Sequence, residues 1–477
     1  MKNKVYNIRN EIFKENNVGK YFGTDGMRGK AGEELLSTHA FKIGRFLGWY
    51  FKKTGKRARA VIGKDTRLSS YMLEYAMASG LSSSGADVFM MHVTTTPSIS
   101  YTVVHDNFDI GIMISASHNP FYDNGIKIIN SNGEKIDDEM TEKIEYYIDN
   151  ETTEKGDIPF ASGKDVGKIT DYSEGRNRYI AYLISSSKRS FKGLKIGLDP
   201  SNGGGFMICR SVFDALGAKT YLINDEPSGE NINLKCGSTN VEALAEFVRL
   251  NSLDMGFAYD GDADRCIAVD EKGKIVDGDK ILYILGKNLK SKGELNENTI
   301  VTTVMSNSGL YASLGEIGIS YKETRVGDRF VHEEMIKNDF SLGGEQSGHI
   351  IISKYAQTGD GILSSIKLTE CVIEEKTTLS RLADEVILYP QILKNVYVKD
   401  KNEILASSEV KKALESARLH FFHGGGRVLV RASGTEPLIR IMVEGENEEL
   451  CQKIANEMEI AIESVSKRRA VHKDGRA

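Results

Sequence analysis

Two stretches of this 477-residue chain hold side chains whose types and spacing could do chemistry. Asp109–Pro120 reads D-I-G-I-M-I-S-A-S-H-N-P and runs from an apolar segment straight into Ser115, Ser117, His118 and Asn119. An apolar run without alternation fits a strand buried on both faces. The C-terminal end of such a strand is where open α/β sheets meet their ligands. The Ser117 hydroxyl, flanked by small and polar residues, is a candidate group carrier; an ordinary capped turn is the plainer alternative. The second stretch, Asp260-Gly261-Asp262-Ala263-Asp264-Arg265, sets three carboxylates at alternate positions. They repel one another strongly unless a cation sits among them. A hard divalent ion with oxygen ligands, Mg2+, meets that need. An EF-hand is ruled out, because Arg265 stands where that loop needs glycine and strand-like residues follow. An aspartyl-phosphate phosphatase with a D-x-D nucleophile stays open as a rival, as does a solvated acidic turn.

Three weaker loops gain meaning beside these. Gly343–His349 sets Glu345, Gln346, Ser347 and His349 on a glycine frame, a set suited to hydrogen bonding sugar hydroxyls. Arg431–Pro437 offers an arginine, two hydroxyls and backbone N–H groups in a turn, which makes a cradle for phosphate. Arg440 lies just beyond and reads equally as a surface strand residue. Near the start, Lys20–Gly29 is a glycine-rich loop that can bring Arg28 close to a bound anion.

The elements that must position these loops alternate between strand and helix, which predicts a mostly parallel sheet. Helices are expected over 37–53 and 71–84, with strands over 59–62, 86–91 and 109–115. A polar loop at 123–127 and a helix near 137–149 follow, and the charged, glycine-rich stretch 151–168 reads as a linker. A second unit has a helix over 172–187 and strands over 194–198 and 255–259. A third has a helix over 281–289, a strand over 300–304 and a helix over 361–375. From Pro390 the pattern changes to short strands and two amphipathic helices, near 403–417 and 448–464, a smaller α+β unit. The basic end is expected to fray. The boundaries drawn are an N-terminal arm at 1–19, α/β domains at 20–168, 169–272 and 273–388, a fourth domain at 389–466, and a tail at 467–477.

Composition narrows the function classes. An apolar fraction of 40% and a charged fraction of 27% describe a globular chain with ample core. A net charge of −5 argues against non-specific nucleic-acid binding. No run is apolar enough to span a membrane and no signal peptide is visible, so a cytoplasmic location is expected. The five cysteines are scattered without a C-x-x-C pair, which points to neither a disulfide framework nor a zinc site.

Taken together, S-A-S-H-N-P, D-G-D-A-D-R, G-E-Q-S-G-H and R-A-S-G-T-E-P, in this order, resemble the α-D-phosphohexomutases from about Lys20 to Ser466. Y-F-G-T-D-G-M-R-G, N-I-N-L-K-C-G-S-T at 231–239, V-G-D-R at 326–329 and Gln346 resemble the branch acting on glucosamine phosphates. The resemblance implies an α/β fold: three similar α/β domains with mixed, mostly parallel sheets, and a smaller C-terminal α+β domain, around a central cleft. It implies that Ser117 carries the phosphoryl group and, with Asp260, Asp262 and Asp264, binds one Mg2+ per subunit. Glu345, Ser347, His349 and Arg329 are then expected to bind the sugar. Arg431, Ser433, Gly434, Thr435 and Arg440 are expected to bind the substrate phosphate. Lys127, Arg28 and His118 are the expected proton-transfer and charge-stabilising groups. A hexose 1,6-bisphosphate is the expected priming activator, and a hexosamine phosphate of cell-wall precursor metabolism the expected substrate. A mutase for glucose or mannose phosphates is the alternative within that chemistry. A Mg2+-dependent sugar-phosphate-binding protein without turnover is the alternative outside it. The resemblance leaves room for a homodimer. Ala432 replaces the family's usual proline, and D-P-S-N-G-G-G at 199–205 departs from its common D-C-A-N-G-A.

Overall fold

The computed structural model describes residues 19–23, 25–52, 56–421, 425–433 and 437–474. All but one residue of the expected N-terminal arm, together with Gly434 and Thr435, lies outside the described residues. The chain forms two compact units. One runs to Met305 and resumes at Ile319–Ala383; the other joins Ser306–Gly318 to the chain from Asp384 onward.

The first unit contains three sheets built on one plan. In each, the first strand lies between the second and the third, all parallel, and a fourth strand pairs antiparallel with the third. In the first sheet these strands are Arg59–Lys64, Asp87–Val93, Ile110–Ile114 and Asp123–Asn130. In the second they are Lys195–Asp199, Lys219–Leu222, Met255–Tyr259 and Cys266–Asp270. In the third they are Thr299–Thr303, Ser320–Thr324, Leu342–Gly344 and Ile350–Ile352. The connection between third and fourth strands therefore has the same place in every sheet. It carries Ser117 in the first, Asp260–Arg265 in the second and Glu345–His349 in the third. A pattern that the sequence shows only as glycine-bearing loops is thus a repeat of topology.

The first sheet is the largest, and it differs from expectation in three places. The glycine-rich stretch at 20–29 is a hairpin, Phe22–Gly23 against Gly26–Lys30, added beside the fourth strand. Gly26 has φ 82°, and a Cβ there would lie 2.4 Å from the carbonyl oxygen of Ile126. The expected polar loop at 123–127 is the fourth strand itself. Its polar residues are buried because they find partners: Asn124 Nδ2 donates to Ser69 and Ser70 at 2.9 and 3.0 Å. At the other edge, Ile169–Asp171 pairs with Asp87–Val93, so the first sheet extends past the boundary drawn at 168. The stretch read as a linker holds a small hairpin, Thr152–Thr153 against Gly156–Asp157. Helices Thr96–His105, Phe206–Ala215, Glu242–Leu250 and Asp328–Asn338 were not expected. Helices Ser37–Tyr50 and Leu68–Ser83 pack at backbone distance, where Gly44 leaves 2.5 Å between a would-be Cβ and the Met77 carbonyl oxygen. Arg67 immediately precedes the second of these helices.

The second unit is a three-stranded antiparallel sheet, Gln391–Tyr397 and Gly426–Ala432 on either side of Leu438–Gly445. Helices Ser408–Leu419 and Glu448–Asp474 cover it. The helix expected over 403–417 is two, Lys401–Leu405 and Ser408–Leu419, divided where Ser407 caps the second through Val410 N–H at 3.4 Å. The last helix continues to Asp474 where fraying was expected. Helix Ser308–Glu316 belongs to this unit: Asn307 exchanges hydrogen bonds with the Tyr389 backbone, and Ser308 N–H donates to Glu444 at 2.7 Å. Among the described residues no helix is long and apolar enough to cross a membrane.

Candidate active site

Ser117 is buried in a turn that bends back from the end of Ile110–Ile114. Its Oγ donates to Asp260 Oδ2 at 2.5 Å and lies 3.3 Å from His118 Nδ1. Its N–H donates to Ser115 Oγ at 2.9 Å, and Ser115 in turn donates to Asp65 at 2.7 Å. Burial, then the guanidinium groups of Arg265 and Arg28, push His118 down to about 4, so its imidazole is neutral at pH 7.

Asp260, Asp262 and Asp264 are all buried, each with a carboxylate oxygen within 4.8 Å of the others'. Burial first, then the charges of Asp264 and Asp262, hold the Asp260 carboxyl well above the usual carboxylate range. Asp262 Oδ1 and Asp264 Oδ1 are buried without a hydrogen-bond donor. Asp260 meets the serine hydroxyl, so the three carboxylates and Ser117 Oγ form one set of hard oxygen donors with two valences unmet. The set fits a divalent cation.

Charge of the opposite sign approaches from behind. Lys127 Nζ, on the fourth strand of the first sheet, lies 2.7 Å from Asp262, 3.1 Å from Asp264 and 3.3 Å from Asp25. Burial opposes its charge, yet Asp25, Asp262 and Asp264 hold the ammonium well above its usual range. Burial works against ionisation of Asp264 too, but Lys127 and His349 keep its carboxyl well below the usual range. Asp25 also pairs with Arg28 and Lys135, and Lys135 with Asp328. His349 closes a ring of charged and polar groups, 3.5 Å from Asp328 and 3.7 Å from Asp264. Gly359 N–H donates to His349 Nε2 at 3.0 Å, which leaves the ring proton on Nδ1, facing Asp264. The ring draws Asp25, Lys127 and Lys135 from the first sheet, Asp264 from the second, and Asp328 and His349 from the third.

On the third loop, Glu345 accepts Gly327 N–H at 3.0 Å, tying V-G-D-R to the sugar-loop candidate. Ser347 Oγ is buried without a partner and is open to a ligand hydroxyl. Arg329 pairs instead with Glu333, at 2.8 Å, and with Asp138. In the second unit Arg431 and Arg440 are register partners across antiparallel strands, so they share one face of the sheet. Ser433 is buried, and its N–H donates to Leu438 at 2.9 Å.

Comparison with known proteins decides the family. The four phosphoglucomutase/phosphomannomutase models match in succession: α/β/α domain I at 19–155, domain II at 177–273, domain III at 277–389 and the C-terminal domain at 393–461. The chain belongs to this family. A relative from Lachnospira eligens named phosphoglucosamine mutase is 53% identical over 94% of this chain and 99% of its own. A phosphoglucomutase/phosphomannomutase family protein from Burkholderia thailandensis shares the fold at TM-score 0.76 and 21% identity, covering 92% and 97% of the two chains. An Aspergillus fumigatus N-acetylphosphoglucosamine mutase, solved with GlcNAc-6P and magnesium, does so at TM-score 0.63 and 17% identity, over 94% and 96%.

Within this phosphohexomutase, the structure brings Ser117, His118, Lys127, Asp260, Asp262, Asp264 and His349 together, with Arg28 joined through Asp25. Sequence reasoning passed over Arg67, Asn233, Thr96 and Lys135. Thr96, at the start of its helix, donates its hydroxyl to Asp262 Oδ2 and its N–H to the Asp262 carbonyl at 3.1 Å. Two features read as marks of the amino-sugar branch face protein groups. Gln346 Nε2 lies 3.4 Å from Asp277, and Asn233 Nδ2 donates to the carbonyls of Ser117 and Asn119.

Proposed function

We propose that the chain interconverts glucosamine 6-phosphate and glucosamine 1-phosphate through a phosphoserine at Ser117 and a hexosamine 1,6-bisphosphate. The observation that carries this reading is the Ser117 hydroxyl held 2.5 Å from Asp260, beside two further carboxylates. The P–O bond to Ser117 breaks as the substrate hydroxyl forms its own. The bisphosphate then turns end for end, and Ser117 takes back the other phosphoryl group. Mg2+ held by Asp260, Asp262, Asp264 and Ser117 would supply neutralising charge to the transferring group, where catalysis of phosphoryl transfer mainly lies. Lys127, kept cationic by its three carboxylates, adds fixed positive charge. His118, neutral at pH 7, is the group able to take the proton of the attacking hydroxyl. Arg431, Ser433, Gly434, Thr435 and Arg440 hold the substrate's other phosphate, and Glu345, Ser347 and His349 its hydroxyls.

The choice of glucosamine is supported by the Lachnospira eligens relative. A mutase for glucose or mannose phosphate is the second reading, favoured by Gln346 and Asn233 facing protein groups. Turnover of glucosamine 6-phosphate against glucose and mannose phosphates, primed with a hexose 1,6-bisphosphate, tests it. If kcat/KM for either neutral sugar equals that for the amino sugar, the assignment to glucosamine is wrong.

A further inference from the structure

Ser117 has φ 52°, a left-handed conformation that non-glycine residues seldom keep unless their surroundings fix it. Two side chains from outside its loop do so. Arg67 is fully buried, and its Nη2 donates to the carbonyls of Ser117 and Asn119, each at 2.9 Å. Its Nη1 donates to the carbonyls of Pro120 and of Asp123, the latter at 3.1 Å. Asp65 balances the charge through Arg67 Nε at 2.7 Å and also receives the Ser115 hydroxyl. From the second sheet's side, Asn233 Nδ2 donates to the Ser117 carbonyl at 2.8 Å and to that of Asn119 at 3.0 Å. Gly261 makes room for this meeting, since a Cβ there would lie 2.5 Å from Ser117 O and 3.1 Å from Asn233 Nδ2.

These contacts pin both peptide planes that flank Ser117. Its N–H is fixed by Ser115 and its C=O by Arg67 and Asn233, so its φ and ψ are set. The direction of its Cα–Cβ bond follows, and the hydrogen bond to Asp260 selects the rotamer that places Oγ. Two further residues of N-I-N-L-K-C-G-S-T bind elsewhere in their own sheet unit. Asn231 binds the Glu226 carbonyl at 2.9 Å, and Gly237 N–H donates to Asp199 at 2.9 Å.

We infer that Arg67 and Asn233 are positioning residues that lock the phosphoryl carrier in its productive conformation, and that Asn233 acts on the carrier rather than on the choice of sugar. The inference rests on the mutase reading above. A carrier misplaced by about an ångström loses on the order of a hundredfold in transfer while sugar contacts stay intact.

The test uses the full chain and its Asn233→Ala and Arg67→Lys variants. Uptake of phosphate on Ser117 from glucose 1,6-bisphosphate is followed by intact-protein and peptide mass spectrometry, alongside turnover of glucosamine 6-phosphate and glucose 6-phosphate. For Asn233→Ala we expect uptake and kcat to fall by roughly 10–100-fold, with KM and the glucosamine-to-glucose ratio of kcat/KM within about twofold of wild type. Arg67→Lys, which keeps the charge but loses the fork, should show the same split. Arg67 is fully buried, so Asn233→Ala alone decides if the lysine variant does not fold. If wild type takes no phosphate on Ser117, the mutase reading itself fails. If wild type is phosphorylated and Asn233→Ala matches it in uptake and kcat, the positioning role is overturned. A shifted sugar ratio in Asn233→Ala would overturn the claim that Asn233 leaves selectivity alone.

Discussion

The serine loop and the metal loop occupy the same place in two sheets of one plan, yet opposite means hold them. The serine loop is fixed from outside. Arg67 and Asn233 hold its carbonyls, Asp65 holds its hydroxyl at Ser115, and Ser117 stays left-handed as a result. The metal loop is held by Thr96, Lys127 and the Ser117 hydroxyl, yet two of its carboxylate oxygens have no hydrogen-bond donor. One is complete as folded; the other stores repulsion that a cation would relieve. A reaction that moves a phosphoryl group on and off one oxygen needs a carrier that does not wander. The charge that steadies the transfer can arrive with the metal.

Ser117→Ala should break the comparison most severely. The neighbouring Ser115 hydroxyl is committed to Asp65 and to the residue 117 N–H, so the phosphoprotein should vanish and turnover fall by at least about a thousandfold. Wild-type protein should carry an ester on Ser117 that survives hydroxylamine. A hydroxylamine-labile phosphate on Asp260 would move the chemistry to the aspartyl-phosphate class.

Asp262→Asn should separate the two loops. The serine loop keeps its support, so the ester can still be detected, while transfer drops by roughly 10²–10³-fold for want of metal. Wild type stripped with a chelator should melt lower, and Mg2+ should raise its Tm in a concentration-dependent way. In the Asp262→Asn variant that rise should be blunted. An unchanged Mg2+ response in calorimetry would mean that the ion binds elsewhere.

The sequence disclosed these two loops unequally. The alternate carboxylates of the metal loop are legible because repulsion belongs to the residues themselves. The Ile110–Ile114 strand is legible because nothing polar interrupts it. Asp123–Asn130 is not: Asn124 and Lys127 look like loop residues until Ser69, Ser70, Asp25, Asp262 and Asp264 arrive from distant parts of the chain. Arg67 and Asn233 are harder still. Their acceptors are backbone carbonyls, which every residue has, so no residue type at 117, 119 or 123 announces the partner. The hairpin at Phe22–Lys30 was hidden by glycines that read as a turn.

Arg431, the arginine proposed to bind the substrate phosphate, extends the comparison to a residue on a strand instead of a loop. It lies opposite Arg440 across the ladder, so the two side chains share one face of the sheet. Arg431→Ala should reduce kcat/KM by about 1.5–3 kcal/mol in both reaction directions, the worth of a charge-assisted contact. Equal kinetic constants for variant and wild type would remove it from the site.

The smallest effect is expected one strand away, at the aspartates that close the first strands of the two sheets. Asp65 has Arg67 as counter-ion, whereas Asp199 has neutral partners: the N–H groups of Gly237 and Ser201, each at 2.9 Å, and the Asn224 side chain. Burial therefore pushes Asp199 up to about 6, against those hydrogen bonds. Its folded state holds a proton that the unfolded chain has already released, so its contribution to stability is full below about pH 4 and is lost as pH rises through 6. Between pH 5 and 7.5 the loss should be about 1–2 kcal/mol. Asp199→Asn is neutral throughout and should lack that slope. Measured as the difference in unfolding midpoint between variant and wild type, stability should therefore move in the variant's favour as pH rises over this range. A difference that stays flat with pH would show that Asp199 is ionised in the folded protein at pH 5, and that hydrogen bonds alone support it as well as Arg67 supports Asp65.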